Sequence, residues 1–253
     1  MDRPRRLRVL DAPVDSVDME GALSYVSRYL REGTSPGTIL AVNPEKVYAL
    51  RKDPFLMRFF ERGTLLLPDG IGVVMALNLL YRAGATRVAG ADLMLGICDI
   101  AAREGQGIFV YGARERVNRR AVEILGQRFP GIRIVGRANG YLGPQEADDL
   151  LRTIAASGAE ILFVALGSPA QERWMHEHLP GSTVRICQGI GGTLDTITGD
   201  VRRAPAIFRR LGLEWFYRLV RQPSRWRRQI VYPLFVAEVL QQAVRSRTRR
   251  GRR

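Results

Sequence analysis

The feature that most constrains the fold is an alternation of two kinds of segment through the first 200 residues. Short apolar runs rich in β-branched residues alternate with longer segments whose apolar residues recur at helical spacing. Runs that are apolar at nearly every position are typical of parallel strands covered by helices on both faces. The sequence therefore predicts an α/β fold with a parallel sheet. Its predicted strands are 38–42, 64–67, 107–111, 132–135, 161–166 and 184–187.

The segments between these strands have the length and amphipathic pattern of helices. Asp53 is placed to cap the first of them. Pro144 and Pro169 suit a first helical turn, where the missing N–H would be unpaired anyway. No element is predicted before residue 38. The predicted helices are 54–62, 71–81, 92–103, 114–129, 144–157 and 169–179.

Length and composition favour one large core with an appendage, since the chain has 253 residues and is 46% hydrophobic. No stretch reaches the roughly 18 apolar residues of a membrane span, and the N-terminus lacks a signal peptide's apolar region, so we expect a cytosolic protein. Cys98 and Cys187 form neither a redox pair nor a zinc spacing. Both are interpreted as buried small hydrophobic residues.

The excess positive charge lies at the C-terminal end. Residues 1–201 contain 24 Lys and Arg against 23 Asp and Glu, whereas residues 202–253 contain 15 Arg, no Lys and only Glu214 and Glu238 as acids. We therefore predict a nearly neutral domain, 1–201, and a basic appendage, 202–253. Such a segment binds an anionic partner, and composition alone does not choose among phosphate groups, an acidic membrane surface and nucleic acid.

Polar and glycine-rich loops follow the predicted strands, at the edge of the sheet where ligands of open α/β folds bind. Glycine lets backbone N–H groups approach a phosphate, although glycine is also the usual residue of tight turns. The pattern contains neither a Walker A loop nor a G-x-G-x-x-G after the first strand, which disfavours ATP and NAD. The loops are Asn43-Pro44-Glu45, Asp69-Gly70, Gly112, Asn139-Gly140-Tyr141, the run 167–172 from Gly167 and Ser168 to Glu172, and the run 189–193.

Asp69 directly follows an apolar strand, which suits a general base, although an Asp before Gly also often caps a helix or closes a turn. Arg87 lies on a loop near the same edge. It either binds a diphosphate or is an ordinary surface arginine. Gln171, near a helix start, either donates to a sugar hydroxyl or is an exposed polar residue. No Asp-x-Asp follows a strand. We therefore predict no metal, and arginine and backbone amides would meet the charge of a diphosphate.

With these residues assembled, the chain resembles the WecG/TagA/CpsF family, glycosyltransferase family 26, from about Leu10 to Gln241. Each matching segment is short, but their order and spacing are specific. The segments are Asn-Pro-Glu (43–45), Pro-Asp-Gly-Ile-Gly (68–72), Arg-Val-Ala-Gly-Ala-Asp-Leu (87–93), Gly-Ser-Pro-Ala-Gln-Glu (167–172), Gly-Ile-Gly-Gly-Thr-Leu-Asp (189–195), Arg-Arg-Ala-Pro (202–205), Gly-Leu-Glu-Trp-Phe-Tyr-Arg-Leu (212–219) and Gln-Pro-Ser-Arg-Trp-Arg-Arg (222–228).

The resemblance implies a Rossmann-like domain with a helical C-terminal appendage. It also implies an inverting, metal-independent enzyme without a cofactor, which transfers a sugar from a UDP-sugar to a polyprenyl-diphosphate-linked saccharide. N-acetylmannosamine, its uronic acid and glucose are the sugars considered. By matching position, Asp69 is the base, and the donor and acceptor pocket contains Asn43, Arg87 and Gln171. Tyr141 and Asp195 match positions near the nucleotide. The chain departs from the family at Ala41, where a Thr is common.

The resemblance also gives the appendage a role, in which Arg218, Arg225 and Arg228 bind the acceptor's diphosphate. Arginine and aromatic residues interleave in this segment, which fits an enzyme held peripherally on the inner, cytoplasmic face of the cell membrane. A homo-oligomer is a further expectation from relatives. The alternatives are a nucleic-acid-binding protein, which the neutral α/β body disfavours, and a nicotinamide enzyme.

Overall fold

The computed structural model describes residues 3–202, 204–205, 208, 216–217 and 231–250. Two strands near the N-terminus, β1 (Arg5–Val9) and β2 (Ala12–Ser16), form an antiparallel hairpin. The main sheet contains β3 (Gly37–Val42), β4 (Leu65–Pro68), β5 (Gly107–Gly112), β6 (Arg133–Ala138), β7 (Ile161–Ala165) and β8 (Ile186–Gly189). Its strand order is β4-β3-β8-β7-β5-β6, and all neighbours are parallel. The six predicted strands and the parallel sheet are confirmed.

Helices cover both faces of this sheet, because successive strand residues enter two different cores. Ile39 and Leu65 pack into one core, whereas Leu40 and Leu66, the next residues along the same strands, pack into the other. All four side chains are buried. Burial on both faces explains why the runs are apolar at consecutive positions. The predicted Rossmann-like arrangement is therefore confirmed.

The six predicted helices are confirmed, with ends that differ from the prediction by at most two residues. Asp53 caps its helix as predicted, by accepting hydrogen bonds from the N–H groups of Phe55 and Leu56. Pro144 begins a helix as predicted, but Pro169 comes one residue before one. The helices are α1 (Met19–Glu32), α2 (Pro44–Lys52), α3 (Pro54–Glu61), α4 (Ile71–Tyr81), α5 (Gly90–Glu104), α6 (Glu115–Arg128), α7 (Pro144–Ala156), α8 (Ala170–His178), α9 (Thr193–Thr198) and α10 (Val231–Arg250).

Sequence reasoning missed the hairpin, α1, α2 and α9. The hairpin matters for the site because it supports β4, which lies at one edge of the sheet. Asp15 of β2 is only 1% exposed and accepts a 2.8 Å hydrogen bond from the backbone N–H of Leu66 in β4. Two further bonds of 2.8 and 2.9 Å join its carboxylate to the guanidinium of Arg6. Asp15 thus fixes the strand that leads to Asp69.

The predicted helical appendage is confirmed over its last helix, α10, which packs against α2 and α4. Phe235, Val239 and Ala243 of this helix are buried. Glu238 accepts hydrogen bonds from Tyr48 at 3.0 Å and from Arg51, both of α2. The Arg51 bond lowers the pKa of Glu238, and burial raises the pKa of Tyr48 to about 12.

The division of the chain at residue 201 stays a prediction. Within the part of the chain that the structure describes, no helix is long and apolar enough to cross a bilayer.

Both cysteines are buried, as predicted. Burial raises the pKa of Cys98 to about 12 and that of Cys187 well above its usual value. At pH 8 a thiol with a pKa of about 12 is ionised in roughly one molecule in 10⁴. We expect a thiol-reactive chromophore to label neither cysteine in the native protein at pH 8 and to label both in 6 M guanidinium. Rapid labelling of the native protein would contradict this burial.

The support of β4 by Asp15 predicts a stability change for Asp15→Ala. The substitution leaves the buried N–H of Leu66 without its acceptor and removes the ion pair of Arg6, whose side chain is 25% exposed, so we expect a cost of about 2 kcal/mol. Urea unfolding followed by circular dichroism measures this free energy. Asp99→Ala, which breaks an exposed ion pair with Arg103, is the control and is expected to change it by less than about 1 kcal/mol. Equal effects of the two substitutions would show that Asp15 does not support the strand.

Candidate active site

A cavity of about 800 Å³, which we call the main cavity, lies at the carboxyl ends of β3, β4, β7 and β8. Ligand pockets commonly measure about 300–1,000 Å³, so this one can hold a nucleotide sugar. These four strands are adjacent in the sheet, and the loops that follow them face the same space. The predicted convergence of loops is therefore present for these four strands.

Six of the nine predicted site residues that the structure describes meet in this cavity. It is lined by Asn43, Asp69, Arg87, Ser168, Gln171 and Asp195. Gly112, Tyr141 and Gly167 do not line it. Arg218, Arg225 and Arg228 lie outside the described residues. The roles of all these residues in binding or catalysis stay predictions.

Gly112 is the last residue of β5, and Tyr141 follows β6. Both strands lie at the far side of the sheet from β4. Gly112 has a φ of 115°, and a Cβ there would come within 2.4 Å of the carbonyl oxygen of Ala165 on β7. Close packing of two strands thus explains this glycine without a ligand. Tyr141 is 75% exposed.

The carboxylate of Asp69 is held from both sides at the wall of the cavity. Nη2 of Arg87 lies 3.3 Å from Oδ1, and the backbone N–H of Gly90 lies 3.3 Å from Oδ2. Gly90 is the first residue of α5, so the positive end of a helix dipole also faces this carboxylate. Asp69 does not cap α4, whose N-cap residue is Gly70 and has no side-chain hydrogen bond. The helix-capping interpretation of Asp69 is therefore wrong for α4.

Gln171 is buried, which rules out the alternative of an exposed polar residue. Its Oε1 accepts a 3.1 Å hydrogen bond from the N–H of Gly191, in the loop after β8. A Cβ at Gly189 would lie 2.6 Å from its Nε2, so glycine at 189 makes room for this amide. Gln171 thus fixes the start of α8 against the glycine-rich loop.

Asn43 ends β3 and caps α2. Its Oδ1 accepts a 2.8 Å hydrogen bond from the N–H of Lys46, which fixes the orientation of the Asn43 amide at the cavity. A Pro at the first helical position and an N-cap Asn are ordinary start signals of a helix. The helix α2 was therefore readable from Asn43-Pro44, which sequence reasoning took as a loop only.

Lys46 and Glu172 are cavity residues to which sequence reasoning assigned no role. Nζ of Lys46 lies 2.7 Å from Oε1 of Glu172 and also donates to the hydroxyl of Ser168. The Lys46 side chain is 11% exposed and that of Glu172 is 1% exposed. The sequence contained one signal for this pair, which is the position of Lys46 in the first turn of α2. The positive end of the helix dipole disfavours a cation there, so a lysine at this position is expected to have an anionic partner.

The described lining does not carry the positive charge that a diphosphate needs. It contains three cations and four anions: Lys46, Arg87 and Arg202 against Asp69, Glu172, Asp195 and Asp200. The residues that the structure describes contain no group of three His, Cys, Asp or Glu able to hold a metal ion. Arg202 and Tyr217, from the predicted appendage, also line the cavity, which brings the basic segment to this site.

Comparison with known proteins identifies relatives over most of the chain. A protein in Bacillus spizizenii strain W23 is 35% identical over 229 residues, which cover 90% of this chain and 88% of the relative. A protein in Bacillus subtilis strain 168 is 34% identical over 238 residues, 93% of this chain and 91% of the relative. Both relatives are described as N-acetylglucosaminyldiphosphoundecaprenol N-acetyl-β-D-mannosaminyltransferases.

A family model for the glycosyl transferase WecG/TagA/CpsF family matches residues 7–249. This range includes most of the hairpin, the whole main sheet and nearly all of α10. The match confirms the resemblance found from the motifs. The chain therefore belongs to the WecG/TagA/CpsF family of glycosyl transferases.

Proposed function

We propose that this protein transfers N-acetylmannosamine from its UDP derivative to an N-acetylglucosamine linked through diphosphate to a polyprenol. The sugar and the lipid-linked acceptor follow the descriptions of the two relatives. The UDP donor, a reaction without a metal ion, and inversion at the anomeric carbon are further parts of the proposal.

The observation that carries this proposal is the position of Asp69 in the main cavity. Its carboxylate is held by Arg87 and by the N–H of Gly90, at the wall of a space large enough for a nucleotide sugar. A carboxylate that is oriented before the substrate arrives can accept a proton without reorganisation.

In the proposed reaction, the acceptor hydroxyl oxygen attacks the anomeric carbon on the face opposite UDP. The bond from that carbon to the diphosphate oxygen breaks, and UDP leaves with its electron pair. The hydroxyl proton passes to Asp69 as the new glycosidic bond forms. Negative charge then grows on the leaving diphosphate, where cationic groups stabilise it.

The excess of acidic groups in the described lining supports a contribution from the basic appendage. Arg87 is already paired with Asp69, and Lys46 with Glu172. The appendage residues Arg218, Arg225 and Arg228 are proposed to supply the missing charge, since a guanidinium can meet two phosphate oxygens at once. The presence of Tyr217 in the lining supports this placement.

If Asp69 is the base, Asp69→Asn should lose transfer activity. This substitution keeps the size of the side chain but removes the proton acceptor. We expect kcat for transfer to fall about 10²- to 10⁴-fold, with little change in the affinity for UDP. Transfer is measured with a short-chain lipid-diphosphate N-acetylglucosamine acceptor. Asp149→Asn, on the exposed side of α7, is the control. A folded Asp69→Asn variant with near-normal turnover would rule out this base.

The donor and the metal requirement are tested in the same assay. UDP-N-acetylmannosamine, its uronic acid, UDP-glucose and UDP-N-acetylglucosamine are compared with and without EDTA. We expect the first donor to be used fastest and EDTA to have no effect. Faster transfer from another donor would correct the sugar, and loss of activity in EDTA would contradict the reaction without a metal ion.

We also propose that α10 and α4 bind an anionic membrane surface. Val236, Leu240 and Val244 are exposed at four-residue spacing on α10, and α4 exposes Met75 and Leu79. An exposed apolar stripe beside arginines is typical of a helix in the lipid headgroup region. The 15 arginines of residues 202–253 add attraction for acidic lipids. This arrangement would hold the enzyme peripherally at the cytoplasmic face, where the lipid-linked acceptor lies.

This surface predicts that Leu240→Glu with Val244→Glu weakens membrane binding. We expect the wild-type protein to float with phosphatidylglycerol vesicles at low salt and the double variant to lose at least about tenfold in binding, because each Glu adds a charge to the apolar stripe. Leu151→Glu, on exposed α7, is the control. Equal flotation of both proteins would contradict the proposal, and a shift of DNA or RNA instead of vesicle binding would favour the nucleic-acid alternative.

A further inference from the structure

The ion pair between Lys46 and Glu172 has an arrangement that its structural role does not explain. Lys46 reaches from the first turn of α2 to the start of α8, across the end of β8. Burying two charges costs free energy that their attraction only partly returns. Apolar residues of similar size would join the two helices equally well, and both charged side chains line the cavity.

The hydrogen bonds of the two charged groups are incomplete. An ammonium group has three hydrogens to donate, and the described residues accept two from Lys46, at Glu172 and Ser168. The ring of the buried Phe60 lies 5.2 Å from Nζ and packs against this group. Oε2 of Glu172 is buried and has no hydrogen-bond partner among the described residues. A buried acceptor without a partner is unfavourable, which indicates that a ligand group completes this part of the cavity.

The charge of the pair decides which ligand group fits. Glu172 neutralises Lys46, so the pair offers little net attraction to a diphosphate. It still offers a strong donor at a fixed position, which suits an uncharged oxygen. On the basis of the proposed function, we propose that Lys46 and Glu172 bind the transferred sugar. Lys46 donates to one of its hydroxyl oxygens or to its acetamido carbonyl, and Oε2 of Glu172 accepts a hydrogen bond from a sugar hydroxyl. Ser168 is the positioning residue of the Lys46 contact.

The test separates sugar binding from diphosphate binding by calorimetry. The double variant Lys46→Met with Glu172→Gln removes the ammonium without leaving a buried carboxylate unpaired. We expect its Kd for UDP-N-acetylmannosamine to rise about 10- to 100-fold, because a charge-assisted hydrogen bond is lost, and its Kd for UDP to change less than about twofold. Arg120→Met, which breaks an exposed ion pair on α6, is expected to change neither Kd.

An unchanged Kd for the UDP-sugar would overturn the proposal, and so would an equal loss for UDP, which would place Lys46 at the diphosphate. If the double variant does not fold, Lys46→Arg keeps the cation but changes the direction of its donors. We expect it to weaken the UDP-sugar at least about fivefold and leave UDP unchanged, and full retention of both affinities would also overturn the proposal. Failure of the proposed function would instead appear as absence of sugar transfer by the wild-type protein.

Discussion

The site depends on the parallel pairing of four neighbouring strands, β4, β3, β8 and β7. Parallel strands end at the same edge of a sheet, so the residues that follow them share one space. Here those residues include Asn43, Asp69, Gln171 and Gly191. The helices on both faces bury the strands, and the hairpin fixes the outer strand through Asp15. The rigidity of the sheet thus determines where the carboxylate of Asp69 lies.

The same arrangement gives the cavity two chemically different walls. One wall holds Asp69 with Arg87 and the start of α5. The other joins Lys46, Glu172, Gln171 and the loop after β8 in a hydrogen-bonded network. We propose that the first wall carries the chemistry and the second recognises the sugar. We also propose that the basic appendage meets the charge of the diphosphate, because the described lining contains more acids than cations. Its helix α10 packs on α2 and α4, the helices that begin beside this cavity.

Sequence patterns predicted the sheet well because its physical cause is local. Strands buried on both faces need apolar residues at consecutive positions. Apolar runs located all six strands, although β6, at the edge of the sheet, is only partly buried. The hairpin was missed because β1 contains three arginines, one of which satisfies the buried Asp15, so the segment looks polar. The helix α2 was missed although Asn43-Pro44 marks its start.

The site was predicted only in part, for a different reason. Residues directly after strands could be placed at the edge of the sheet, and Asp69 and Gln171 were found in this way. Strand order is a long-range property that no local pattern encodes, so Gly112 and Tyr141 could not be separated from the loops that line the cavity. The pairing of Lys46 with Glu172 joins residues 126 positions apart and also requires the fold.

A crystal of the protein soaked with UDP-N-acetylmannosamine would show where the donor binds relative to Asp69. We expect the sugar to lie in the main cavity, with the anomeric carbon facing Asp69 and room for an acceptor hydroxyl within hydrogen-bonding reach of its carboxylate. A donor bound instead over the loops after β5 and β6, with its anomeric carbon remote from Asp69, would show that Asp69 is not the base.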